Sequence, residues 1–371
     1  MIIGDHHTIS TDIHNILIIQ LGDIGDVVWA TPTLWAVKET YPQANVSVLL
    51  REGFGCLLEP DPSIYKTFEV KRDHEGHLHN TIDQVRLIKE LRQEHFDLVF
   101  DLRAGDRGAI VARLTGAPMR ASLYYHDVPF WRNMLFTHLL VEPAPPKERV
   151  YGAAEQSLRI IRGFGIVAKT MVPSLWVSDQ VMMRVYQLLT ECNMKPLSSE
   201  SSHRWITINP FSRWSYKEWA YDKWVSVINW LWDEFQFPTA IVGSKEEGGK
   251  ASELENKCSG TVYNLAGRTT LAELAGVLSL GSFHIGVDSA APHIAAAVGT
   301  PTIIIYGPSD WRDWAPVGNQ HRVVVPDMEC VPCYKKGCDG SGLSQCLETL
   351  EVETVQKVIQ EQIREQAASH C

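Results

Sequence analysis

The chain has 371 residues, of which 45% are hydrophobic and 21% charged, and its formal net charge is −10. That length predicts two domains, and the composition excludes disorder over most of it. The acidic balance excludes nucleic acid as a default partner, because such binding leans on Lys and Arg neutralising phosphates.

No apolar run approaches the roughly 18 residues that span a bilayer. The segment from Met1 to Asn15 has no basic stretch followed by an apolar one, so no signal peptide is expected. The eight cysteines are then expected as reduced thiols in a cytoplasm. In chain order, "NILIIQL" predicts a buried strand stopped by Gly22. "TPTLWAVKETYP" predicts a helix with Thr31 as N-cap and Pro32 at its first position. "NVSVLL" is the next strand, "TIDQVRLIKELRQEHF" an amphipathic helix and "DLVFDL" a third strand. "GAIVARLTGAP" predicts a helix closed by Gly116 and Pro118. The Pro-rich stretch Pro143–Glu148 suggests a linker, followed by the helix "AAEQSLRIIRGFGI".

The alternation then restarts. "RWITINP", "PTAIVGS", "FHIGVDS" and "PTIIIYGPSD" predict strands, and "YDKWVSVINWLWDEF", "LAELAGVLSLG" and "APHIAAAVG" predict the helices between them. "LEVETVQKVIQEQIREQ" predicts an exposed terminal helix. Strand–helix alternation in both halves predicts an α/β fold of two doubly wound parallel sheets, with ligands beyond the carboxyl ends of the strands.

Three constellations carry chemistry. In "QLGDIGD" a strand ends in Gly22 and Gly25 with Asp23 and Asp26 beside them. A glycine turn before a helix usually cradles phosphate, but two carboxylates would repel it. Asp26 at the helix start suits a general base held ionised by the dipole; by residue type alone, a plain capping role for Asp26 or Asp23 is the favoured reading. In "GVDSAAPHIAAAVG" Asp288 ends a strand, and Ser289, Ala290 and Ala291 open a small-residue helix whose free N–H groups could meet a diphosphate. Tight packing on the sheet is the alternative there, and His293 reads as structural. In "NPFSRWSYKEW" Ser212, Arg213 and Lys217 supply donors and positive charge for a departing diphosphate, or form a solvated loop.

Cys330, Cys333, Cys338 and Cys346 could make a tetrahedral zinc site, although only one C-x-x-C is present; free thiols or a redox pair are the alternatives. No D-x-D occurs in the chain, so a metal-held nucleotide diphosphate is not expected. Arg103, Arg107, Arg113, Arg120 and Arg132 predict either an anionic-acceptor or membrane-facing surface, or a solvated face.

Taken together, "LGDIGDVVWATPTLWAVKETYP", "FDLVFDLR…GAIVARLTGA", "NLAGRTTLAEL", "GVDSAAPHIAAAVGTPTIIIYGPSD" and "CVPCYKKGCDGSGLSQCLETL" resemble the bacterial heptosyltransferases of lipopolysaccharide core synthesis, glycosyltransferase family 9, from about residue 15 to about residue 360. The resemblance implies a GT-B fold: two facing Rossmann-like domains with a cleft, an acceptor-binding domain over 1–175 and a nucleotide-sugar domain over 176–371, the terminal helix packing back on the first. It implies an inverting transferase with no metal and no cofactor, an ADP-heptose donor and a lipid-anchored glycan acceptor at the inner face of the inner membrane. It makes Asp26 the general base and puts Ser212, Arg213 and Lys217 near the donor phosphates. Asp288 would hold sugar hydroxyls, Ser289, Ala290, Ala291 and His293 would form the phosphate-binding helix start, and Thr269 would lie beside the nucleobase. Asp23, Arg103, Arg107 and Arg120 fall on the acceptor side. Ala290 stands where the family pattern has glycine, which would matter if a positive φ were needed there. An epimerase-like nucleotide-sugar enzyme, or a non-catalytic nucleotide or glycan binder, are the competing functions.

Overall fold

A strand buried on both faces favours a continuous apolar run over alternation; Ile16–Ile19 and Leu98–Phe100 have one, whereas Ile206–Asn209 alternates apolar and polar residues yet is buried throughout. The computed structural model describes residues 1–9, 12–71, 77–141, 152–194 and 205–369. The predicted linker Pro143–Glu148 and the terminal Cys371 lie outside the described residues. The chain divides into two units, Met1–Trp176 and Val177–Cys371.

The first unit runs β1 (Ile2–Gly4), β2 (Asn15–Ile19), α1 (Ile24–Thr40), β3 (Asn45–Arg51), β4 (Lys66–Val70), α2 (His77–Gln93), β5 (Leu98–Asp101), α3 (Asp106–Thr115), β6 (Met119–Leu123), α4 (Phe130–Met134), β7 (His138–Leu140) and α5 (Ala154–Arg162). Its strands form one seven-stranded sheet in the order β1-β7-β6-β5-β2-β3-β4. All pairs are parallel. From β2 the chain builds outward through β3 and β4, then returns to the other side of β2 for β5. The direction of winding therefore reverses between β2 and β5, which is where a doubly wound sheet opens a crevice at its carboxyl edge. Leu17, Ile19, Leu49, Phe68, Val99 and Phe136 belong to one buried cluster.

Helix α1 corrects one expectation. Thr31 is not its N-cap and Pro32 is not its first residue: the helix starts at Ile24 behind Asp23, and Pro32 lies inside it. The sequence supplies its own remedy for the interior proline. Pro32 has no N–H to offer the carbonyl of Val28, and the hydroxyl of Thr31 donates to that oxygen instead, at 2.9 Å. The same hydroxyl accepts the N–H of Ser174 at 3.2 Å. Helix α3 ends as expected, on Gly116 in the left-handed conformation at φ 81°.

The second unit runs α6 (Asp179–Glu191), β8 (Ile206–Asn209), α7 (Tyr221–Phe235), β9 (Thr239–Ile241), α8 (Gly248–Lys257), β10 (Val262–Asn264), α9 (Leu271–Leu280), β11 (His284–Val287), α10 (Ala290–Ala297), β12 (Thr302–Ile305), α11 (Trp311–Trp314), β13 (His321–Val324), α12 (Gln345–Thr349) and α13 (Val352–Ser369). Its six parallel strands are ordered β10-β9-β8-β11-β12-β13, so the winding reverses between β8 and β11. The terminal helix α13 contributes Val355 and Ile359 to this unit's own core. Trp224 of α7 is fully buried there, its ring 5.4 Å from that of Trp219 in a T-shaped contact. Trp224→Ala is expected to lower unfolding free energy by about 3–5 kcal/mol, read as a lower urea midpoint with an unchanged slope.

Three histidines add to the acid sensitivity of this unit. His284 is fully buried, its Nδ1 3.0 Å from Thr207 Oγ1, and burial pushes its pKa down to about 3. Burial likewise takes His293 and His321 down to about 4. All three lie below the unfolded value of about 6.5. Their contribution is therefore present above pH 6.5 and lost as pH falls towards 4 and 3. For His284 alone the loss is on the order of 4 kcal/mol. Thermal midpoints should fall steeply between pH 6.5 and pH 4, and His284→Gln should flatten that slope.

Candidate active site

Each reversal point carries an ion pair between the loops of two neighbouring strands. In the first unit, β2 ends at Ile19 and the loop to α1 brings Asp26 into the first helical turn. There one carboxylate oxygen, Oδ2, accepts the N–H of the N-cap Asp23 at 2.8 Å. The other, Oδ1, accepts from Arg103 Nη1 at 2.9 Å. Asp26 thus caps and also presents an ion-paired carboxylate, with 15% of its side chain exposed. Gly22 makes room for this: a Cβ there would collide with the Asp26 carboxylate. Asp23 is more open and pairs with Arg51 at 2.7 Å.

Arg103 reaches Asp26 from the loop after β5, and that loop rests on a buried pair. Asp101 and Arg132 are both completely buried, with Nη2 of Arg132 3.4 Å from Oδ2 of Asp101. Burial pushes the Asp101 carboxyl up to about 7, against the pull of Arg132 and Arg103. This corrects the reading of Arg132 as part of a surface arginine cluster. A five-residue helix leaves Phe130 and Met134 outside and turns Arg132 and Asn133 inward. Arg120 spends its guanidinium on the carbonyls of Leu135 and Ala117. Arg107 and Arg113 are exposed, Arg107 donating to the carbonyl of Lys71 at 3.4 Å.

In the second unit the charges are arranged in the opposite order. Lys217 closes a single helical turn, Ser215–Lys217, in the loop after β8. Its Nζ lies 2.6 Å from Oδ2 of Asp288, which follows β11; the side chains are 22% and 9% exposed. Ser289, extended at φ −150°, is the N-cap of α10. Its hydroxyl donates to Oδ1 of Asn209 at 2.8 Å, and Asn209 Nδ2 donates to the carbonyl of Val242. Serine and asparagine thereby tie the ends of β8 and β11 together. Ala290 and Ala291 are the first two helical residues, so the N–H groups of this turn point out of the helix without an intrahelical acceptor. No positive φ occurs at Ala290, and the alanine costs nothing in backbone strain. His293 sits one turn in, buried and held neutral.

Ser212 contributes its backbone N–H to Glu218 at 3.0 Å and its hydroxyl oxygen to Trp214 N at 3.3 Å. Arg213 is exposed, its guanidinium 5.7 Å from the Trp214 ring centre. Thr269 lies in the loop between β10 and α9, beside the capping residue Thr270.

The cysteine segment folds against the lysine loop. Ser215 Oγ donates to the carbonyl of Gly342 at 3.0 Å, and Ser344 Oγ to that of Tyr216 at 2.6 Å. Cys330, Cys333, Cys338 and Cys346 are unpaired thiols, and burial pushes that of Cys346 up to about 11. Among the described residues no three His, Cys, Asp or Glu side chains are grouped as a metal site requires. No helix among the described residues is long and apolar enough to cross a membrane.

The sequence reading missed Asp101 and Asn209 in this geometry and gave Arg132 a surface role. Asp101 had a signal, a charged residue closing an otherwise apolar strand. Arg132 and Asn209 had none that distinguishes them from ordinary loop or strand-end residues.

The chain is 28% identical over 303 residues to lipopolysaccharide heptosyltransferase 3 of Escherichia coli, covering 78% of this chain and 84% of that one. It is 24% identical over 355 residues to lipopolysaccharide heptosyltransferase 2 of E. coli K12, covering 93% and 97%. In fold it matches a family 9 glycosyl transferase from Veillonella parvula at a TM-score of 0.80, with 17% identity over 96% of this chain and 99% of that one. It matches E. coli ADP-heptose lps heptosyltransferase II at 0.72, with 20% identity over 95% and 99%, and both units are Rossmann-like as in the GT-B structures of that group. The model for glycosyltransferase family 9 (heptosyltransferase) matches residues 84–343, most of the chain, so the chain belongs to that family and is a glycosyltransferase.

Proposed function

We propose that this glycosyltransferase transfers a heptose, with inversion, from an ADP-activated donor to a lipopolysaccharide core acceptor. The single observation that carries the reading is Asp26: a carboxylate at the carboxyl edge of the first sheet, ion-paired and hydrogen-bonded, yet partly open. An acceptor hydroxyl gives its proton to Asp26 and attacks the anomeric carbon on the face opposite the diphosphate. The transition state has oxocarbenium character, as in glycoside hydrolysis. On the donor side, Lys217 and the first N–H groups of α10 neutralise the charge that develops on the departing diphosphate. Asp288 is placed to accept from sugar hydroxyls once Lys217 turns to phosphate. Ser212, Arg213 and Thr269 line the neighbouring loops for phosphate and base.

Metal independence is part of the proposal. The chain has no D-x-D, and Asp26 and Asp288 are each engaged with a cation of the protein itself. The similarity to lipopolysaccharide heptosyltransferases and to an ADP-heptose lps heptosyltransferase supports the lipopolysaccharide acceptor and the ADP-heptose donor. The expected working place is the cytoplasmic side of the inner membrane, in peripheral contact with it. Binding of ADP-, GDP- and UDP-linked sugars by calorimetry tests the donor, with ADP-heptose expected to bind most tightly. Product formation from ADP-heptose that needs no acceptor would overturn the transfer reading.

A further inference from the structure

Arg103 is held from both sides by a buried pair. Its backbone N–H donates to Oδ1 of Asp101 at 3.2 Å. Its carbonyl accepts from Nη2 of Arg132 at 2.8 Å. The same Nη2 lies 3.4 Å from Asp101 Oδ2 and from Ser122 Oγ. The guanidinium of Arg132 is wedged between the rings of Tyr125 and Phe136, 4.9 Å and 5.1 Å from their centres. Its Nε has no hydrogen-bond partner among the described residues. Two fully buried charges are costly, and replacing such a pair by apolar residues is often neutral or stabilising. Stability alone is therefore a weak reason for this one. The helix that follows is shaped around it as well: a Cβ at Gly108 would stand 2.8 Å from Asp101 Oδ1.

We propose that Asp101 and Arg132 are positioning residues for the transfer reaction: they fix the main chain of Arg103 so that its guanidinium meets and orients the carboxylate of Asp26. This rests on the reading of Asp26 as the base. The chain of contacts runs Arg132 and Asp101, then the peptide groups of Arg103, then its side chain, then Asp26. Neither buried residue touches substrate. Loss of either loosens the Asp26 carboxylate by a fraction of an ångström to an ångström, and misplacement on that scale costs on the order of 10²-fold in turnover.

The test uses Asp101→Asn, Arg132→Met and Gly108→Ala in the full-length enzyme, with a thermal melt of each. Gly108→Ala keeps both charges and suits a helical position, so it reports on geometry even if the charge variants fold poorly. Each is expected to lower kcat by about 10- to 100-fold while the donor KM stays within a factor of two or so. Combined with Asp26→Asn, none should lower kcat further, because the group they act through is already gone. A purely structural role would instead lower the melting temperature and depress kcat equally in both backgrounds. If Asp26→Asn abolishes turnover but the three variants keep kcat near the parent value, the positioning proposal fails and the base reading stands. If Asp26→Asn itself keeps full turnover, the base reading fails first.

Discussion

Asp26→Asn is expected to lower turnover by about 10²–10⁴-fold, the range that a positioned acid–base group supplies, and to leave donor affinity nearly unchanged. The substitution suits the site. An amide oxygen can still accept the Asp23 N–H that Asp26 Oδ2 accepts at 2.8 Å, so the start of α1 keeps its cap. What disappears is the anion facing Arg103 and the ability to take a proton. Rapid-quench measurement of a single turnover separates this step from product release. A rate equal to the parent enzyme's would move the base elsewhere. Asp23 is the nearest carboxylate along the chain, but it is already engaged by Arg51.

Lys217→Met should cost nearly as much and fail differently. The lysine is expected to stabilise charge that appears on the leaving diphosphate, and loss of one such donor typically costs about 10²–10³-fold in kcat. Donor affinity falls too, because the ground-state diphosphate also loses a cation. The variant carries a second penalty. Asp288 is 9% exposed, and without its partner it stands as a nearly buried charge beside neutral His293, so the melting temperature drops. Asp288→Asn added to Lys217→Met should restore much of the stability and none of the activity. Lys217→Arg should restore part of both. An Lys217→Met enzyme with unchanged kcat and donor KM would remove the lysine from the reaction.

Much of the architecture was legible because parallel strands announce themselves. Ile16–Ile19 and Ile303–Ile305 are apolar without interruption and are bounded by polar residues, glycine or proline, whereas "ITIN" alternates. The start of α1 was misplaced for an equally physical reason. Its buried face wraps nearly all the way round, with Val27 to Leu34 buried without a break, so no amphipathic period marked where it began, and Thr-Pro offered a false cap. Short edge strands such as β1 and β10 carry too few residues to show a period at all.

At the candidate site, the residues that sit at helix starts and strand ends could be read, since Asp26, Asp288 and Ser289 occupy positions with a local rule. Arg132 could not. It is separated from Asp101 by 31 positions, and what makes it part of the site is burial, which arginine in a polar stretch does not advertise.

The hydrogen bonds from Ser215 to Gly342 and from Ser344 to Tyr216 join residues 127 and 128 positions apart, and Trp219 Nε1 reaches the carbonyl of Leu350 at 3.1 Å. During synthesis, the stretch bearing Lys217 leaves the ribosome long before the stretch that anchors it. The first sheet and Asp26 can be fully folded while the lysine loop still lacks its clamp. A nascent chain released short of Leu350 would already carry the Asp26–Arg103 pair, but its lysine loop would lack the contacts to Gly342, Ser344 and Leu350 that hold it.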